Sequence, residues 1–161
     1  MPVDPAALDL GYLALFVGMR VNDLVLDRLH AGGFADARIA HGYVFQHLID
    51  GPRSITELAK LLGVTQQAAS KSVADLVERG YLRSTPGGDR RARQIELSER
   101  GRACIAFARD ARARIERRLI ARHGAAIART RVLLANLLDE LGGGDPVRAR
   151  RIREPGTDRS R

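Results

Sequence analysis

The segment "GGDRRARQIELSERG", residues 87 to 101, sets Arg90, Arg91 and Arg93 beside Asp89, directly after two glycines. Guanidinium groups crowded at the tip of a turn have two readings. One is a solvated loop. The other is a probe for a phosphate-lined groove, since Arg is always charged and donates bidentately to phosphate. Asp89 stands two residues before Arg91 and is placed to hold that guanidinium by an ion pair. A pre-oriented Arg loses less rotamer freedom on binding.

A second polar group lies upstream in "VTQQAASK". With Thr65 as N-cap, a helix follows in which Ala69, Val73, Leu76 and Val77 are expected to face a core. Its opposite face then carries Gln66, Gln67, Ser70 and Lys71 near the N-terminus. Gln pairs bidentately with adenine, and Lys reaches guanine or a phosphate. Ser and Thr beside free backbone N–H groups suit phosphate. The alternative is an ordinary solvated helix face.

Specific elements must position these groups. "SITELAKLLG" has capping-box spacing at Ser54 and Glu57, an apolar side at Ile55, Leu58, Ala59 and Leu62, and a terminating Gly63. Thr65 opens the next helix at once, which is the helix-turn-helix pattern. Tyr81 to Thr85 and Arg93 to Leu97 read as strands around the turn Pro86-Gly87-Gly88-Asp89. A helix-turn-helix followed directly by a hairpin is a winged helix, and the opening segment is its wing.

Helices flank this unit. Residues 9 to 30 carry one stripe of Leu10, Leu13, Val17, Val21, Leu24 and Arg28, and a second of Tyr12, Phe16, Met19 and Leu26. A helix apolar on two faces is expected to bury both, one against its own domain and one against a partner subunit. Residues 37 to 49 read as a helix with Asp36 as N-cap. Ser98 caps a helix from about 99 to 121, and a last helix spans about 125 to 141. The expected division is 1–35 as an N-terminal dimerisation helix, 36–98 as the winged helix-turn-helix, 99–141 as C-terminal dimerisation helices, and 142–161 as a disordered Arg-rich tail. The fold class is mainly α with a small β-wing.

The chain has 161 residues and a formal net charge of +8. Such a balance favours polyanionic partners, nucleic acid before an anionic membrane. One cysteine, Cys104, excludes an internal disulfide. Asp4 and Asp9 stand where a signal peptide carries basic residues, and Leu10 to Met19 is too short to cross a bilayer. A cytoplasmic, nucleoid-associated location is expected, with no membrane partner. No nucleophile–base pair or phosphate-cradling loop is evident, so no catalytic residue, metal ligand or cofactor is expected.

"LAKLLGVTQQAASKSVADLVERGYLRS" and "DRRARQIELSERG", together with the order of elements over roughly residues 9 to 141, resemble the MarR family of winged-helix transcription regulators. The resemblance implies a homodimer built from the first and last helices, binding a pseudo-palindromic double-stranded operator, as a repressor in preference to an activator. It implies release by a small molecule or a redox signal. Arg91 matches the family position that inserts into the minor groove, whose negative potential rewards an Arg. Arg90 then contacts phosphate, and Arg93 does so or braces the wing. The DNA-binding set is therefore Thr65, Gln66, Gln67, Ser70, Lys71, Asp89, Arg90, Arg91 and Arg93.

Family effector pockets lie between the dimer helices and the winged helix, which makes Tyr12, Phe16, His41 and Phe45 candidate lining; plain core is the alternative. Cys104 reads as a buried structural thiol, with a redox sensor as the alternative. Two other functional readings stay open: a nonspecific architectural DNA binder, and a winged helix used as a protein-interaction scaffold.

Overall fold

A computed structural model of the chain describes residues 3–86 and 93–148. After a 3-10 turn at Pro5–Ala7 come α1 (Leu10–Ala31), α2 (Ile39–Phe45), β1 (Arg53–Ser54), α3 (Ile55–Leu62) and α4 (Gln66–Glu78). The strands β2 (Leu82–Pro86) and β3 (Arg93–Leu97) form the hairpin. Then follow α5 (Glu99–His123), α6 (Ala125–Glu140) and α7 (Gly144–Arg148). The antiparallel sheet runs β1-β3-β2, with Arg53 opposite Ile95 and Leu82 opposite Leu97. The winged helix expected from the sequence is present.

Local chemistry sets the boundaries. The Asp9 carboxylate accepts the Tyr12 N–H at 3.0 Å and opens α1. Ser54 and Glu57 form the reciprocal cap at α3, with Ser54 N–H donating to Glu57 at 2.8 Å and Glu57 N–H to Ser54 at 3.2 Å. Gly63 closes α3 at φ 66°, a left-handed conformation that glycine adopts without strain. That kink lets Thr65 begin α4 two residues later. The core lies where α1, α2, α3, α4 and α5 meet the sheet. Tyr81, Leu48, Leu58 and Leu76 are fully buried in it.

Three expectations change. The division of α1 runs along its length, not around it. Val25 and Leu29, on neither predicted stripe, are buried, while both stripes are exposed from Leu10 to Met19. Every residue from Leu10 to Arg20 is exposed, so the first half of α1 overhangs the residues that its second half packs on. Asp36 does not cap α2. The N-cap is Arg38, and Asp36 is drawn instead to Tyr81 and Arg100. Val77 of α4 is 38% exposed, because Ala69, Val73 and Leu76 already fill the seat of that helix.

Beyond Gly143 the expected unstructured tail begins with the short helix α7. Arg148 holds both Asp139 oxygens at 2.7 Å and Asp145 at 3.0 Å. The remainder of the tail lies outside the described residues.

Candidate nucleic-acid interface

α4 is seated by Ala69, Val73 and Leu76, which are buried at positions i, i+4 and i+7. That seating turns Thr65, Gln66, Gln67, Ser70 and Lys71 outward, and all five are exposed. The Thr65 hydroxyl accepts the Ala68 N–H at 3.2 Å, which leaves its own O–H free to donate. The exposed set thus offers hydroxyl, amide and ammonium groups at the N-terminal end of one helix.

The hairpin beside it is stiffened by side chains. Arg83 and Glu96, directly opposite each other, pair at 2.7 Å. Arg93 donates to the Ser84 hydroxyl at 2.9 Å, so it braces the wing from an exposed position. Asp89, Arg90 and Arg91 lie outside the described residues.

Behind α4 runs a polar network that the sequence reading missed. Asp36 accepts the Tyr81 hydroxyl at 2.7 Å and Arg100 at 2.8 Å, and the Arg100 guanidinium stacks 4.8 Å from the Tyr81 ring centroid. Arg79 takes Asp75 by two bonds of 2.9 Å and reaches Asp36 at 3.8 Å. The Tyr81 hydroxyl, with Arg100 beside it, holds the Asp36 carboxyl below its ordinary range. The Arg79 hydrogen bond does the same for Asp75. The Asp75–Arg79 spacing of four was a legible signal. Tyr81 and Asp36 are too far apart in the chain for their pairing to be legible.

A cavity of about 190 Å³ lies between α1, the 37–49 segment and α5. Its wall is mainly apolar and includes Leu29, His41, Phe45, Cys104 and Ala108, with Arg38, Arg109 and Arg112 also lining it. His41 and Phe45 therefore meet as expected. Tyr12 and Phe16 do not join them. They sit stacked on the N-terminal half of α1, 58% and 50% exposed, where no other described residue covers them. Cys104 is buried, and burial pushes its thiol up to about 11, as expected for a structural thiol.

The apolar overhang of α1 is matched on α6, where Val132, Leu133, Leu134 and Leu138 are all exposed. Among the described residues no three His, Cys, Asp or Glu side chains are grouped to hold a metal ion. No helix among them is long and apolar enough to cross a membrane.

A sequence model described as MarR family matches residues 33–92. Solved structures share the fold. RV1404 from Mycobacterium tuberculosis is 22% identical, covering 88% of this chain and 99% of that one with a TM-score of 0.69. MepR, a transcription regulator of the Staphylococcus aureus multidrug efflux pump MepA, is 15% identical at TM-score 0.66, covering 83% and 99%. Wild-type apo MarR from E. coli is 22% identical at TM-score 0.59, covering 81% and 98%. No curated protein sequence matches the chain. The MarR resemblance read from the helix-turn-helix and wing segments therefore holds over the matched residues, and the fold is shared with these solved structures.

Proposed function

We propose that this chain is a homodimeric, sequence-specific DNA-binding transcription regulator, acting as a repressor. Residues 65–79 enter the major groove and residues 86–93 the minor groove. The observation that carries this reading is the outward row Thr65, Gln66, Gln67, Ser70 and Lys71, on a helix whose other side is anchored by Ala69, Val73 and Leu76. Gln66 and Gln67 serve base readout, Lys71 guanine or phosphate, and Thr65 and Ser70 phosphate. Arg91 takes the minor groove, oriented by Asp89, while Arg90 contacts phosphate. A single recognition helix reads few base pairs, so two are joined through the exposed faces of α1 and α6.

Release comes from a small molecule in the cavity bounded by His41 and Phe45, whose apolar lining with three arginines suits an organic effector. The alternative signal, oxidation, is disfavoured here, because a buried thiol with a raised pKa is a poor nucleophile.

Fluorescence anisotropy on the DNA upstream of the protein's own gene, against a scrambled duplex at two salt concentrations, tests the reading. A preference on the order of 10³ or more supports it. Equal binding that fades with salt favours the architectural reading, and no binding at low salt favours the protein scaffold. Arg91→Ala is expected to weaken operator binding while leaving the dimer intact.

A further inference from the structure

His41 faces two ways. It lines the wall of the 190 Å³ cavity. It also lines a smaller hollow, shared with Ser72, Asp75 and Leu76 of α4. Its Nδ1 accepts the Arg38 backbone N–H at 3.3 Å. With Nδ1 as acceptor, the neutral ring carries its proton on Nε2, and Nε2 lies 3.8 Å from Asp75 Oδ2. Asp75 grips Arg79, Arg79 reaches Asp36, and Asp36 closes on Tyr81 and Arg100. A continuous set of contacts thus joins the cavity wall to the C-terminal half of α4.

We propose that His41 is a positioning residue that passes the state of the cavity to the recognition helix, through Asp75. A change in the tilt or charge of the imidazole on the cavity side alters its hold on Asp75, and with it the seat of α4. The effect on DNA binding rests on the function proposed above. The coupling between His41 and α4 does not.

The surroundings make this hold adjustable. Asp75 on α4 and Asp36 ahead of α2 favour the imidazolium, while Arg38 and Arg79 oppose it. The rings of Tyr81 and Phe45 pack against His41, 5.9 and 6.2 Å away between centroids. Burial outweighs Asp75 and keeps the ring neutral at pH 7. Adding a proton on Nδ1 strengthens the attraction to Asp75 and removes the acceptor for the Arg38 N–H. Protonation therefore tightens the link to α4 while loosening the entry to α2.

NMR of the full chain tests this without DNA. The His41 ring and the amides of residues 66–79 are followed from about pH 8 to about pH 5, in wild type, His41→Gln and Asp75→Asn. The series is repeated with benzene, which fills dry apolar cavities of about this size. In wild type, the α4 amides are expected to follow the His41 titration, and benzene is expected to move His41 and α4 together. In Asp75→Asn the titration moves to lower pH, the α4 amides no longer follow, and benzene moves His41 alone. In His41→Gln the titration-linked movement of α4 is lost. The proposal is overturned if α4 stays still while wild-type His41 titrates, if α4 moves equally in His41→Gln, or if benzene leaves His41 unmoved. If His41→Gln does not fold, wild type and Asp75→Asn decide the matter. Coupling intact alongside failed operator binding supports the link and removes only the proposed function.

Discussion

Gly101 lies so close to the Tyr81 carbonyl oxygen that a Cβ at residue 101 would overlap it. The oxygen is fixed, because it accepts the Ser98 N–H at 3.0 Å and the Ser98 hydroxyl at 2.9 Å. The Ser98 hydroxyl in turn accepts the Gly101 N–H at 3.0 Å. This ring of contacts ties the root of the wing to the first turn of α5. Gly101→Ala is expected to cost about 2–3 kcal/mol or more, because the obstacle is backbone that cannot rotate away. A melting temperature equal to that of wild type would show that the two segments separate more easily than the contact implies.

Cys104 is expected to resist alkylation. In the folded chain at about pH 8, iodoacetamide should label it far more slowly than in the unfolded chain, since the thiol is buried and its pKa is raised to about 11. The sign of the linkage follows. Between 9.0, the ordinary value, and about 11, the folded state holds the proton and the unfolded state releases it. This contribution to stability is therefore full below pH 9 and fades as pH rises through the folded value. Cys104→Ala should flatten the alkaline loss in a pH series of thermal melts. Rapid labelling of the native protein would reopen a redox role.

Acid should unfold the chain in two windows. The His41 pKa is lowered chiefly by burial, so below its ordinary value of 6.5 the unfolded chain takes up a proton that the folded chain resists. Stability falls as pH drops from there toward the folded pKa. The Asp36 pKa is lowered chiefly by the Tyr81 hydroxyl, so its contribution is present above 3.8 and is lost as pH falls through the folded value. Denaturant melts of His41→Gln should flatten the upper window, and those of Asp36→Asn the lower. Tyr81→Phe should cost about 1 kcal/mol at neutral pH, the usual worth of a hydrogen bond. Unchanged acid profiles in both variants would assign the loss to other groups.

The exposed apolar faces of α1 and α6 predict what truncation and charge do to assembly. Removing residues 125 to 141, or replacing Leu133 by Glu, is expected to yield monomers or aggregates in sedimentation experiments, because neither face is covered by the described residues of one chain. A well-folded dimer from either variant would place the interface elsewhere.

The winged helix was legible because its signals are local. Ser54 and Glu57, Gly63, Thr65 and Ser98 cap or break helices through bonds made within a few residues. The strand Arg93–Leu97 was read to the residue from its alternating pattern. What escaped depends on long-range geometry. Asp36 looked like an N-cap from its neighbours, yet Tyr81, 45 positions later, claims its carboxylate. Tyr12 and Phe16 shared a stripe with Leu26, but only packing reveals that α1 extends past its support at that end. His41 and Phe45 were named from where the resembled family's pockets lie; standing four apart on one helix, they reach the same cavity wall.

The two-residue strand Arg53–Ser54 lies against Ile95 and Gln94, about forty positions later. The segment from 53 to 97 therefore begins and ends at the same place, a closed circuit containing both α4 and the wing. Segments with adjoining ends tolerate transplantation. An exchange of target specificity with another chain of this fold should accordingly move 53–97 as one cassette, with Asp36, Arg100 and Gly101 retained in the recipient to receive Tyr81. Swapping α4 alone would part Asp75, which lies on that helix, from Arg79, which lies just beyond it, unless the donor helix supplies its own carboxylate there.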